Sequence, residues 1–126
     1  MTLTPNELQF MRVLWKADKP LTSREILTLS VDKKWQDTSL HTILKKLLEK
    51  RAVIEHGFVK DGKTISRTFV PALRCEDYYA EVFADYPAND VPRLFSALMR
   101  RSDFDAKVIE KLEEIIRLRR VELEND

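Results

Sequence analysis

The chain has 126 residues, 44% hydrophobic and 34% charged, which is the balance of a soluble globular protein of one compact domain or two small modules. Its two glycines, Gly57 and Gly62, exclude a Gly-rich phosphate cradle; its lone Cys75 excludes an intramolecular disulfide and suits a reducing compartment. The net charge of +1 hides an asymmetry: residues 1–74 hold 14 Lys and Arg against 8 Asp and Glu, whereas residues 75–126 hold 8 against 13, so the first part is suited to a polyanion.

The first helix is announced by Thr4-Pro5-Asn6-Glu7, with Thr4 as N-cap, Pro5 as first helical residue and Glu7 reaching back to close a capping box. Leu8, Met11, Leu14 and Trp15 recur at helical spacing, and Pro20 ends the element. A second capping box, Thr22-Ser23-Arg24-Glu25, starts a short helix to about Ser30. Residues 31–37 read as a connector. A third helix is expected over 38–51, with Leu40, Ile43, Leu44, Leu47 and Leu48 as its apolar stripe.

The period then changes. Residues 53–59 are β-branched and aromatic, Lys60-Asp61-Gly62-Lys63 is a turn, and 64–70 is the returning strand, closed by Pro71. Beyond it three helices are expected: Glu76 to Asp85, one capped by Asp90 running to about Arg101, and a last one capped by Asp105. The boundary is expected at Pro71, giving residues 1–74 and 75–126.

Three short helices followed by a hairpin is the order of a winged helix-turn-helix, in which the third helix enters the DNA major groove. The fold class expected is therefore mainly α with a small β-hairpin, a winged helix-turn-helix followed by a helical dimerisation region. The third helix must bury one face and offer hydrogen-bonding and cationic groups on the other. Ser39, His41, Thr42, Lys45, Lys46 and Lys50 fill that second role. Lys60 and Lys63 at the hairpin tip, with Arg67 on the return strand, are placed to clamp the backbone. Thr22, Ser23 and Arg24 at the second helix start offer hydroxyls, N–H groups and charge to a phosphate. In the last 52 residues Tyr79, Phe83, Leu94, Phe95, Leu98, Val108, Leu112, Ile115 and Ile116 form apolar stripes that pairing of two copies would cover.

Enzyme chemistry has no support. His41 and His56 lack metal-ligand spacing, and no nucleophile stands beside a base. Cys75 adjoins Glu76 and Asp77, which disfavour a thiolate, and Glu113-Glu114 lie on a solvated helix face. No cofactor and no metal are expected. The start of the chain lacks a signal-peptide pattern and no apolar run approaches the roughly 20 residues of a membrane span, so a cytoplasmic protein without membrane insertion is expected. An adaptor binding an acidic protein through the same scaffold, without DNA, is the alternative.

The run Leu3-Thr4-Pro5-Asn6-Glu7-Leu8-Gln9-Phe10-Met11-Arg12-Val13-Leu14-Trp15 resembles the opening of the penicillinase and methicillin-resistance repressors (BlaI/MecI type), which include copper-responsive members. Thr22 to Ile26 resembles their second helix, and Ser39 to Lys50 their recognition helix, with Ser39 in place of the usual Thr and His41 in place of a basic residue. The resemblance implies a homodimer held by its C-terminal helices on a dyad-symmetric operator of double-stranded DNA, blocking transcription. It also implies, as a further partner, a sensor-protease pathway that inactivates the repressor by cleavage. The usual Asn-Phe cleavage pair is absent, the corresponding region lying near Ser96-Ala97-Leu98, and the paired cysteines of the copper sensors are absent too.

Overall fold

The computed structural model describes residues Met1–Asp126. Helix α1 (Pro5–Ala17) starts where the sequence places it: the Thr4 hydroxyl accepts from the Glu7 N–H at 3.2 Å and the Glu7 carboxylate accepts from the Thr4 N–H at 2.8 Å. Asp18 ends it in the left-handed region, at φ 53°. Helix α2 (Ser23–Leu29) has the same reciprocal cap between Thr22 and Glu25. After the connector, a single 3₁₀ turn over Asp37–Ser39 leads into α3 (Leu40–Glu49), two residues later than the sequence suggests.

The hairpin is β2 (Val53–Asp61) and β3 (Thr64–Pro71), antiparallel, with Asp61 opposite Thr64. The turn is therefore Gly62-Lys63, and Gly62 has φ +64°. A third strand was not foreseen: β1 (Leu21–Thr22) pairs antiparallel with β3, giving the order β1-β3-β2. Between Glu55 and Gly57 the register slips by one residue, a β-bulge, and Gly57 sits at φ +114°. No neighbouring atom obstructs a Cβ there; the backbone conformation is the constraint. Gly57→Ala should therefore lower stability by about 1–3 kcal/mol without altering the core, measured as a shift in the urea midpoint; an unchanged midpoint would show that the bulge relaxes freely.

One core holds this part together. Phe10, Met11 and Leu14 of α1, Ile26 of α2, Leu40, Ile43, Leu44 and Leu47 of α3, and Leu21, Val53 and Phe69 of the sheet are all buried. Leu8, Trp15 and Leu48, expected in the apolar stripes, are only partly buried, while Phe10 is fully so. Trp35, in the connector, is also core: it is 5% exposed and its ring lies 6.3 Å from that of Phe10.

Helix α4 (Cys75–Val82) docks on the same core. The Trp15 indole N–H donates to the Leu73 carbonyl at 2.9 Å, and its ring meets Tyr78 at 5.9 Å and Tyr79 at 6.3 Å. The first compact unit consequently runs over Met1–Ala84, ten residues beyond the boundary expected at Arg74, and the second over Asp85–Asp126.

The second unit contains α5 (Val91–Leu98) and α6 (Ala106–Glu124). Asp105 caps α6, accepting from the Val108 N–H at 3.0 Å, as expected. Asp90 does not cap α5: its backbone is already helical, at φ −96° and ψ −6°, after a 3₁₀ turn over Ala88–Asp90, and an N-cap needs extended geometry. No residue of this unit is buried; Phe95, Ile109, Ile115, Ile116 and Leu123 lie exposed. No helix of the chain is long and apolar enough to cross a membrane.

Candidate nucleic-acid interface

Helix α3 divides into two faces. Leu40, Ile43, Leu44 and Leu47 are buried, while His41, Thr42, Lys45 and Lys46 are exposed. Thr42 and Lys46 stand one turn apart and share a side of the helix. Lys45 and Lys46 make no salt bridge, so both charges are available to a ligand. Ser39 is half-buried at the start of α3, and its hydroxyl makes no capping bond.

Lys50 is engaged differently. Its ammonium lies 2.6 Å from Glu7 Oε1 and 2.9 Å from the Thr2 carbonyl oxygen. Glu7 is 2% exposed. Burial alone pushes its carboxyl up, but Lys50 and the Thr4 N–H outweigh that and hold it below its ordinary value. Lys50 thus joins the end of α3 to the start of α1.

At the start of α2 the placement is again uneven. Thr22 is buried and its hydroxyl is taken by the cap. Ser23 is half-buried and Arg24 exposed, with the Arg24 guanidinium 3.8 Å from Asp61. Strand β1 covers only Phe69 and Thr68 of β3, so the β3 edge from Arg67 to Thr64 stays open. Between that edge and the start of α2 lies a groove of about 290 Å³ whose polar lining includes Ser23, Arg24, Asp61, Thr64, Ser66 and Arg67, two guanidinium groups against one carboxylate. The fold therefore brings Ser23 and Arg24 to Arg67, three residues singled out in the sequence. Arg67 also pairs with Glu55 across the hairpin and stacks 5.6 Å from the Phe69 ring.

Thr64 and Ser66 were missed. The signal was present as alternation: Thr64, Ser66 and Thr68 occupy every second position of β3, so they share a face. Lys60 and Lys63 are exposed on the wing, and neither makes a salt bridge.

Of the residues expected to mediate dimerisation, Tyr79 and Phe83 fall in the first unit. The Tyr79 hydroxyl accepts from Arg12, at 3.3 Å from Nη2. In the second unit Leu94, Leu98, Val108 and Leu112 are half-buried, and Phe95, Ile115 and Ile116 exposed. No cluster of His, Cys, Asp and Glu is arranged to hold a metal ion.

Among solved structures the chain is similar to the adhesin competence repressor (AdcR) of Streptococcus pyogenes, at 15% identity and a TM-score of 0.45, covering 98% of this chain and 82% of that one. No curated protein matches it. The penicillinase repressor family matches over residues 3–118, which takes in the capped first helix, the helix-turn-helix, the wing and most of the last helix; the chain belongs to that family of DNA-binding transcriptional repressors.

Proposed function

We propose that the protein acts as a homodimer on a dyad-symmetric operator, with α3 in the major groove and the β2–β3 hairpin as a wing on the flanking backbone. The observation that carries this reading is the two-faced α3: four polar or cationic side chains on the exposed side, unpaired, above a buried aliphatic side. Thr42 offers a hydroxyl for base edges and a methyl for thymine, and Lys45 and Lys46 reach guanine acceptors or phosphates. Ser23, Arg24 and Arg67, around one groove, suit a phosphate of the same strand, and Lys60 and Lys63 extend the cationic track. Thr22 and Lys50 are left out of this contact set, because the cap and Glu7 occupy them.

Homodimerisation is supported by the second unit, none of whose apolar side chains is fully buried within one chain. Two copies related by a dyad present two α3 helices to two half-sites. Inactivation by a sensor-protease pathway, which the family resemblance implies, would act on this unit, where Ser96, Ala97 and Leu98 lie in α5. With DNA as partner, the protein works in the compartment that holds the chromosome, where a lone reduced Cys75 is at ease.

The test compares two variants on operator and random DNA. Thr42→Ala should cost about 1–3 kcal/mol on the operator and little on random sequence. Lys63→Ala should weaken both alike and make the salt slope shallower by about one unit. Equal loss on both DNAs for Thr42→Ala would remove α3 from the groove.

A further inference from the structure

A second concavity of the first unit lies away from the proposed DNA contacts. It is a groove of about 620 Å³ between α1 and the connector that joins α2 to α3. That volume is within the range of small-molecule sites. Its apolar lining comes from Val13 on one side and Leu29, Val31 and Trp35 on the other. Val31 is 82% exposed and Leu29 is half exposed, so two aliphatic side chains of the rim stand in water.

The charge of the lining is one-sided. Arg12, Lys16, Lys19 and Lys33 line it against a single carboxylate, Asp32. Lys33 is held by Asp37 at 2.7 Å, and Arg12 by the Tyr79 hydroxyl. Lys16 and Lys19 make no salt bridge. Lys19 acts at longer range on Glu25, so the groove couples apolar walls to an excess of positive charge in which Lys16 has no carboxylate partner.

Trp35 adds an independent observation. It is buried, lines the groove, and its indole N–H has no acceptor in the protein. The other tryptophan, Trp15, has its N–H satisfied by the Leu73 carbonyl. A buried donor without a partner costs stability, and because this N–H is closed to solvent an acceptor on a ligand reaches it only as the connector shifts.

The position matters as much as the chemistry. The connector has no regular structure of its own before the 3₁₀ turn, and two contacts fix it to α1: the Trp35 ring against Phe10, and the Lys34 N–H donating to Gln9 Oε1 at 3.1 Å. Gln9 and Trp35 both line the groove. Whatever occupies the groove therefore bears on the turn that sets α3 against α2.

We propose that the groove between α1 and the α2–α3 connector binds a small amphipathic organic anion, an apolar body bearing a carboxylate, and that its occupation displaces α3 and weakens operator binding. The binding step stands by itself; the effect on the operator rests on the proposed DNA-binding function.

The probe is 2-naphthoate, titrated into the full ¹⁵N-labelled chain. With two tryptophans there are two indole N–H resonances, assigned by Trp35→Phe. The Trp35 resonance should shift saturably while that of Trp15 stays in place. Neutral 2-naphthamide should bind at least about tenfold more weakly, and Val31→Glu, at a position exposed enough to leave the fold intact, should cut 2-naphthoate affinity by about tenfold or more. A Trp35 resonance that does not move, equal shifts of both tryptophans, or equal affinity for the neutral probe overturns the site. In the second arm, saturating 2-naphthoate should lower operator affinity about fivefold or more, and an unchanged affinity overturns the coupling to α3. Failure to form any operator complex without the probe would instead strike at the DNA-binding function, since the indole resonance reads the groove without DNA.

Discussion

Replacing Lys50 with methionine should destabilise the protein by about 3 kcal/mol at neutral pH, near the low end of what breaking a buried ion pair costs. Glu7 is 2% exposed and has two stabilising partners on Oε1, while its Oε2 has none in the protein. Methionine keeps the length of the side chain but leaves the carboxylate buried without its cation. The lower end applies because the Lys50 side chain is itself about one-third exposed, at 35%, so water replaces part of what is lost. The pH dependence gives the sign. In the folded wild type the Glu7 carboxyl titrates below its ordinary value near 4.5, so the stability it contributes is complete above that value and is lost as pH falls through the folded one. In Lys50→Met the main cause of the depression is gone. The gap between wild type and variant should therefore be widest near pH 7 and close as the pH falls through the ordinary carboxylate value near 4.5 and below it. Urea midpoints at the two pH values measure it. A gap that is small at pH 7, or that does not change with pH, would mean that Lys50 acts through packing of its methylenes and not through Glu7.

Glu7 and Lys50 also show what a sequence reveals and what it hides. The Thr4–Glu7 and Thr22–Glu25 capping boxes were legible because both partners lie three residues apart. The salt bridge was not, because its partners are 43 residues apart and Lys50 sits where helical spacing allows an outward cation. Trp35 escaped for the same reason: no periodicity marks a connector residue whose burial depends on Phe10. Strand β1 is two residues long and exists through its pairing with Phe69 and Thr68, so nothing local announces it. The candidate interface was more legible than the fold around it. A helix face that stays polar through α3 can be counted off the sequence, whereas the meeting of Ser23 and Arg24 with Arg67 depends on how the sheet closes beside α2. The boundary moved from Arg74 to Ala84 because Pro71 ends a strand and not a core: Trp15 reaches past it to Leu73 and the α4 tyrosines.

That shift sets the fragment for the second large effect. Residues 1–84 alone should fold, since their core is complete without the rest of the chain, yet bind a full operator no more tightly per half-site than an isolated half-site. Linking two such modules makes the second binding event intramolecular, and losing that linkage should weaken binding to the full operator by about 10²–10⁴-fold. A fragment ending at Arg74 would be a poorer test, because it would strip α4 from Trp15. In the full chain, Ile115→Asp should give a monomer with the same loss. Ile115 is 62% exposed in the single chain, so a carboxylate there costs the monomer little. Its cost falls on the dimer, where covering such a side chain is worth about 1.5–3 kcal/mol and burying an unpaired charge is worse. Sedimentation at micromolar concentration separates the outcomes. The two variants should sediment as monomers and the wild type as a dimer. A monomeric wild type would leave the exposed apolar stripe of α6 without the role assigned to it, and a 1–84 fragment that holds the full operator as tightly as the whole protein would move the pairing surface into the first unit.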